Sequence, residues 1–239
     1  MCGRPLHEAS RVPVCPACLD GLAPLDAEFF CACCRTPFLN RYPLDEEGRC
    51  ALCRAGLRGF DAAYAFGLYE GALRELIHLY KYGKVRTLDR PLGDLLLRAL
   101  PRDEPFDWVT PVPLHWRKRW QRGFNQADLL GRRVAARTGI PRTHLLRRLR
   151  YTASQASLSH TNRRNNVATA FACRRPELVA GRRILLIDDV LTTGATGAAC
   201  ALELKRSGAA RVALLTLARS DRRIVFTPRA GVSVVEGVV

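Results

Sequence analysis

Hydrophobic and polar positions fall into three regimes along the chain. Residues 1–58 show no sustained 3.6- or 2.0-residue period, because short apolar stretches are broken by Pro, Gly and repeated Cys-x-x-Cys steps. From about Phe60 strand-like and helix-like units alternate. Ala62–Leu68 is an apolar run that predicts a strand, and Leu73, Leu76, Ile77 and Tyr80 recur at helical spacing, predicting an amphipathic helix over Gly71–Tyr82. A second helix is expected over Leu88–Leu100, then a strand over Asp107–Leu114 that ends in prolines. Asn125 can cap a helix that runs to about Thr138 and is closed by Gly139 and Pro141. Residues 148–170 are polar, basic and weakly periodic, which predicts a long loop; such loops in compact domains are usually functional or disordered.

The most regular unit lies later in the chain. Arg183–Ile187 reads as a short buried strand, Asp188–Thr196 as a loop, Gly197–Ser207 as a helix stopped by Gly208, and Arg211–Ala218 as a second strand. This is a βαβ unit, which implies a parallel sheet and an α/β class. Residues 219–239 are expected to be an irregular tail with one short strand at Val232–Val235. The pattern therefore divides the chain into a Cys-rich module (1–58), an α/β domain (59–219) and a C-terminal tail (220–239). The first has too few apolar residues for a core of its own and is expected to be a separate lobe held by metal.

Composition narrows the class further. With 239 residues and 48% apolar content the chain can bury a full core, which excludes a disordered or fibrous protein. No apolar run approaches the roughly 18–20 residues of a membrane helix. The start, Met1-Cys2-Gly3-Arg4-Pro5, lacks the apolar core of a signal peptide, so a cytoplasmic location is expected. The net charge of +16 is concentrated in one block: residues 111–183 carry 17 Lys and Arg against 2 acids, whereas residues 1–110 carry 14 against 15. Such a block creates a local positive field suited to phosphates, of a small ligand or of a nucleic-acid backbone.

Eight of the ten cysteines lie within the first 53 residues. In a reducing compartment disulfides are disfavoured, so metal binding is the better reading. Cys31-x2-Cys34 and Cys50-x2-Cys53 are two knuckles 15 residues apart, the arrangement of a four-cysteine zinc ribbon. Redox chemistry by a single Cys-x-x-Cys is the competing reading. Cys33 is a spare thiol on this pattern, Cys15-x2-Cys18 is a third knuckle, and Cys173 and Cys200 are expected to be packed thiols.

Two further motifs carry chemistry. In Ile184-Leu185-Leu186-Ile187-Asp188-Asp189-Val190-Leu191-Thr192-Thr193-Gly194-Ala195-Thr196, an apolar strand delivers two carboxylates to a sheet edge, and a Thr/Gly loop leads into a helix N-terminus that favours an anion. Carboxylates beside a phosphate cradle suit a sugar phosphate, with two ribose hydroxyls on the acids and the 5′-phosphate on the loop. A P-loop nucleotide hydrolase would also need G-x-x-x-x-G-K-[ST], which the chain lacks. In the second motif, Pro111-Val112-Pro113-Leu114-His115-Trp116-Arg117-Lys118-Arg119-Trp120-Gln121-Arg122-Gly123-Phe124-Asn125-Gln126, a strand end precedes a cation cluster that can hold a pyrophosphate. A solvated basic loop with its Trp side chains packed inward is the alternative for this segment.

These motifs, in this order and with Thr152, Gln155, Leu158, Arg163, Asn166, Ala170 and Phe171 between them, resemble the ComF family of phosphoribosyltransferase-like proteins linked to DNA uptake. Tyr69-Glu70-Gly71 with Leu73, Ile77, Lys81, Tyr82 and Gly83 fits the same family, and the resemblance spans residues 1 to about 219. It implies a type I phosphoribosyltransferase-like parallel sheet with helices on both faces, plus a small N-terminal zinc-ribbon module. By the same resemblance Asp188 and Asp189 would bind the ribose hydroxyls of phosphoribosyl pyrophosphate (PRPP), Thr192, Thr193, Gly194, Ala195 and Thr196 its 5′-phosphate, and Arg117 and Arg122 its pyrophosphate. Thr152–Asn166 would be a mobile hood. Family members often begin with a double zinc ribbon whose first knuckle is Cys-x-x-Cys-Gly. Cys2-Gly3 matches only its second half, so either the start lies upstream or a first site on Cys2, Cys15 and Cys18 is incomplete.

Three functions are therefore open. The first is a PRPP-binding cytoplasmic accessory of DNA uptake that contacts single-stranded DNA and other uptake proteins. The second is an active transferase that moves phosphoribose from PRPP to a nucleobase or amine, with Mg²⁺ bridging the ligand oxygens. The third is a zinc-ribbon interaction module on a catalytically silent scaffold. No histidine falls in a pattern that defines a general base.

Overall fold

The structure, a computed structural model, describes residues 2, 12–26, 28–38, 40–56, 59–149 and 170–220. In chain order the elements are α1 (Pro16–Asp20), β1 (Phe29–Phe30), β2 (Pro37–Phe38), α2 (Ala51–Arg54), β3 (Ala62–Leu68), α3 (Gly71–Tyr82), α4 (Asp89–Ala99), β4 (Trp108–Pro111) and α5 (Trp116–Arg122). They continue with α6 (Gln126–Thr138), β5 (Leu146–Arg148), β6 (Phe171–Cys173), β7 (Arg183–Leu191), α7 (Ala195–Arg206) and β8 (Arg211–Arg219). Four strands make one all-parallel sheet in the order β3-β8-β7-β4, while β1-β2 and β5-β6 are small antiparallel pairs.

Alternation along the central strands divides the core into two layers. Leu185 and Ile187 of β7, with Ala213 and Leu215 of β8, face α3, α4 and α6. Ile184, Leu186, Val212 and Leu214 point to the opposite face, where α7, the β5-β6 pair and the cysteine module pack. Helices thus cover both faces of the sheet, as a parallel sheet requires. At Gly197 a Cβ would lie 2.7 Å from Leu214 Cδ2, so only glycine lets α7 approach β8 this closely.

Four elements differ from the sequence pattern. Strand β7 continues beyond Ile187 to Leu191, so Asp188 and Asp189 are strand residues and not loop residues. Its ladder to β8 registers Asp188 on Thr216, Val190 on Ala218 and Leu191 on Arg219, and this pairing outweighs the low strand preference of Asp. Helix α7 starts two residues before the expected Gly197, and β4 covers only Trp108–Pro111. The basic stretch after Leu114 forms the short helix α5. Residues 148–170, expected as loop, begin and end at the β5-β6 pair, and the interval 150–169 lies outside the described residues, as does the strand expected at 232–235.

The cysteine module is seated on the sheet instead of standing off as a lobe. Ala63 N–H donates to Cys33 O at 2.9 Å and Leu25 N–H to Phe66 O at 2.5 Å. Cys31, Cys34 and Cys50 join the core that contains Phe60, Ala63 and Leu214, so the sheet supplies the apolar surface that the module lacks. A fully buried guanidinium adds a polar anchor: Arg219, the last residue of β8, donates to Cys34 O and, at 2.7 Å, to Thr36 Oγ1. No helix among the described residues is long and apolar enough to cross a membrane.

Candidate functional site

The carboxyl ends of β4 and β7 open into a cavity of about 230 Å³. Its wall brings together Tyr69, Lys81, Arg122, Gln126, Arg148, Asp188, Asp189, Thr192 and Thr196, with Val112, Pro113 and Leu114 completing the lining. A crevice outside the carboxyl ends of parallel strands is where open α/β sheets bind ligands.

Local sequence explains the tight Thr/Gly turn on one side. After Leu191 the chain must turn from strand to helix within three residues, and Gly194 does so in the left-handed region, with φ +80°. Thr193 Oγ1 accepts from Ala195 N–H at 3.4 Å, and α7 then presents the N–H groups of its first turn toward the loop. Across the cavity, Asn125 caps α6 by accepting from Ala127 N–H at 3.2 Å. Its Nδ2 donates to Val112 O at 3.1 Å, tying the α6 N-terminus to the end of β4.

Charges alternate around the wall. Asp189 Oδ1 lies 2.8 Å from Lys81 Nζ, and Asp188 Oδ1 accepts from Asp189 N–H at 2.9 Å. Withdrawal from solvent, reinforced by the neighbouring Asp189 charge, pushes the Asp188 carboxyl up to about 7; Lys81 and Arg122 pull in the opposite direction. Arg122 Nη1 donates to Gln126 Oε1 at 3.2 Å. Since a guanidinium can only donate, the amide oxygen must face it, and Gln126 Nε2, buried in the wall, meets no acceptor among the described residues. A buried donor of this kind is costly unless water or a ligand in the cavity supplies the acceptor.

Of the residues singled out in the sequence, Asp188, Asp189, Thr192, Thr196 and Arg122 line one cavity. Arg117 is not among the lining residues; its guanidinium lies 5.2 Å over the Trp116 ring on the outer side of α5. The proposed hood, 152–166, lies outside the described residues. Lys81, Gln126 and Arg148 were missed as site residues: Lys81 entered only through the family pattern, Gln126 only as the end of the basic motif, and Arg148 only as the start of the expected loop. Trp116 and Trp120, which the alternative reading of this segment packs inward, are 66% and 85% exposed, whereas Phe124 is buried. Tyr82 is 63% exposed, and Arg122 Cζ stands 5.2 Å over its ring, so aromatic and basic side chains continue from the cavity mouth onto the surface.

The four thiols of Cys31, Cys34, Cys50 and Cys53 converge with all ligand atoms within 4.8 Å of one another. Cys34 and Cys50 sulfurs are 3.7 Å apart, close to the edge of about 3.8 Å expected for tetrahedral thiolates at 2.3 Å from a zinc ion. Backbone N–H groups of Cys34 and Cys50 point at Cys31 Sγ, at 3.5 and 3.3 Å, as they do to a thiolate. Hydrogen bonds from the Cys31, Cys50 and Cys53 thiols hold Cys34 well below the ordinary thiol range. This set fits a zinc ribbon and can hold a metal ion. Cys2, Cys15 and Cys18 form a second, three-thiol cluster, with Cys2 and Cys15 sulfurs 3.6 Å apart. Cys33 donates instead to Asp61 O at 3.2 Å, and Cys200 is a packed thiol whose burial pushes its pKa up.

Comparison with known proteins agrees with this geometry. Residues 125–233 match the phosphoribosyl transferase domain, a stretch that holds α6, the acidic pair and the Thr/Gly loop. The fold is a phosphoribosyltransferase-like α/β sheet carrying a cysteine module. Competence protein F of Haemophilus influenzae is 33% identical over 171 residues, which cover 67% of this chain and 74% of that protein. DNA utilization protein YhgH of Escherichia coli K12 is 36% identical over 160 residues, covering 64% and 69%. The chain belongs to the ComF family of phosphoribosyltransferase-like proteins. The glutamine PRPP amidotransferase from B. subtilis aligns with a TM-score of 0.42 and 22% identity, over 58% of this chain and only 30% of that enzyme.

Proposed function

We propose that the protein binds PRPP or a closely related phosphoribosyl ligand in the cavity and contacts single-stranded DNA alongside it, as a cytoplasmic accessory of DNA uptake. The observation that carries the reading is the convergence of an acidic pair, a Thr/Gly phosphate loop and three cations on one cavity at the carboxyl edge of the sheet. In this reading Asp188 and Asp189 accept from the ribose hydroxyls, residues 192–196 hold the 5′-phosphate, and Arg122 and Arg148 face the pyrophosphate. Gln126 Nε2 donates to a ligand oxygen. Any Mg²⁺ would arrive with the ligand and would supply charge neutralisation on its phosphates. The protein is a poor resident site for it, since Asp189 Oδ1 is already paired with Lys81 and the described lining residues include no third acid.

Single-strand contact is supported by the exposed Trp116, Trp120 and Tyr82 beside the basic block, because rings stack on bases while arginines follow phosphates. Other uptake proteins would meet this complex; the name of the H. influenzae relative points to competence. The cysteine module, taken as residues 1–58, holds structural zinc on Cys31, Cys34, Cys50 and Cys53, and a second ion on Cys2, Cys15 and Cys18 with a further ligand. The transferase-like domain is taken as 59–219 and the tail as 220–239.

A second reading, transfer of phosphoribose to a nucleobase or amine, is favoured by the place of Asp188 on the cavity wall beside Lys81 and Arg122, where withdrawal from solvent pushes its carboxyl up toward the range of a proton-exchanging group. Pyrophosphate release from PRPP across a panel of bases and amines separates the two. Binding without release supports the accessory role, and turnover with any acceptor replaces it by the transferase.

A further inference from the structure

We propose that Lys81 is a built-in cation of the phosphoribosyl site: held on Asp189, it balances the acidic pair, so this chain binds a PRPP-type ligand with little dependence on Mg²⁺. The inference rests on the ligand reading above and deepens it.

Lys81 is delivered rigidly. It follows Tyr80 in the last turn of α3, a helix fixed on the sheet by the buried Leu73, Leu76, Ile77 and Tyr80. The Tyr80 hydroxyl donates to Gln126 O at 3.3 Å, and its ring centre stands 5.3 Å from that of Phe124. A cation at this end of a helix is also favoured by the carbonyl ends. The Lys81 and Asp189 side chains are 12% and 13% exposed and 2.8 Å apart, so the pair is an enclosed unit and not a surface encounter. Charges so enclosed persist only when paired.

This arrangement changes what a divalent ion can do. To bind at the acidic pair it must either displace the ammonium or sit beside it, and both are unfavourable. The negative charge that a divalent ion would otherwise neutralise on the ligand instead meets Lys81, Arg122 and Arg148 from the wall. Lys81 is thus a positioning residue: it holds the Asp189 carboxylate in place and supplies charge.

Isothermal calorimetry with PRPP and the full chain tests this, in Mg²⁺ buffer and in buffer freed of divalent ions over a chelating resin, so that no chelator meets the cysteine module. Withdrawing Mg²⁺ should weaken wild-type binding by less than about tenfold, whereas Lys81→Met should raise that factor to at least about a hundredfold and Lys81→Arg should keep it small. If Lys81→Met fails to fold, Lys81→Gln, which keeps a hydrogen bond to Asp189 without the charge, takes its place with the same expectation. A wild-type loss above about tenfold, or a neutral variant with the wild-type Mg²⁺ factor, overturns the proposal and leaves the ligand reading intact. No binding of PRPP in either buffer overturns the ligand reading, and the proposal with it.

Discussion

Replacing Arg219 by Met should loosen the cysteine module from the sheet without touching a cysteine. The guanidinium is fully buried and donates to Cys34 O and Thr36 Oγ1, and Thr36 Oγ1 in turn lies 2.9 Å from Cys34 Sγ. Met fills much of the same volume but leaves both acceptors unpaired, at about 1–3 kcal/mol each. Removing a buried charge recovers part of that cost, so a net loss of about 2–4 kcal/mol is expected. For a chain of this length each kcal/mol corresponds to about 2–4 °C, which gives a fall in melting temperature of about 5–15 °C. Calorimetric melting measures the fall, and the rate at which a chromophoric chelator captures the cysteine-bound metal reports on the module itself. That rate should rise, because the Cys34 carbonyl and its neighbour Thr36 are no longer fixed from the sheet. A melting temperature within about 2 °C of wild type, together with unchanged metal release, would show that the anchor carries no stability.

Three further outcomes are expected. Folding raises the Asp188 carboxyl from 3.8 to about 7, so its contribution to stability is full below the unfolded value and is lost as pH climbs through the folded one. Asp188→Asn should therefore gain in melting temperature relative to wild type between about pH 5 and pH 8, and a constant difference across that scan would contradict the assignment. Trp120→Ala should weaken binding of an oligothymidylate by about 5- to 100-fold while leaving the salt slope unchanged, whereas Arg147→Ala with Arg148→Ala should make the slope shallower; identical curves for all three proteins would remove the strand contact. Gln126→Leu removes the buried amide donor, so PRPP affinity should fall by about tenfold with little change in melting temperature, and an unchanged affinity would show that the donor faces no ligand.

Sequence alone revealed those parts of the fold whose causes are local. The helix over Gly71–Tyr82 follows from the spacing of Leu73, Leu76, Ile77 and Tyr80, and the start of α6 follows from the Asn125 cap. The βαβ unit was legible because apolar runs flank a helix stopped by Gly208. The extension of β7 through Asp188 and Asp189 was not, since those residues are poor strand formers and the pairing that holds them comes from β8. Helix α5 was hidden because its Trp side chains face outward at positions 116 and 120 and bury no stripe that would mark a period. Strands β5 and β6 span three residues each, too short for alternation to register. At the site, the acidic pair and the Thr/Gly loop form one contiguous motif, but Lys81 meets Asp189 only through the sheet, and the buried Arg219 reads in sequence as one more basic residue near a strand end.

The most direct test of the ligand site is calorimetric titration of PRPP into the wild-type chain and into the Asp188→Asn/Asp189→Asn double variant, with melting curves recorded for both. Amide side chains keep the size of the carboxylates and remove their charge. Wild type should bind, and the double variant should lose at least about thirtyfold in affinity while still melting cooperatively. Equal affinity for the two proteins, or no PRPP binding by a folded wild-type chain, would contradict the assignment of this cavity to a phosphoribosyl ligand.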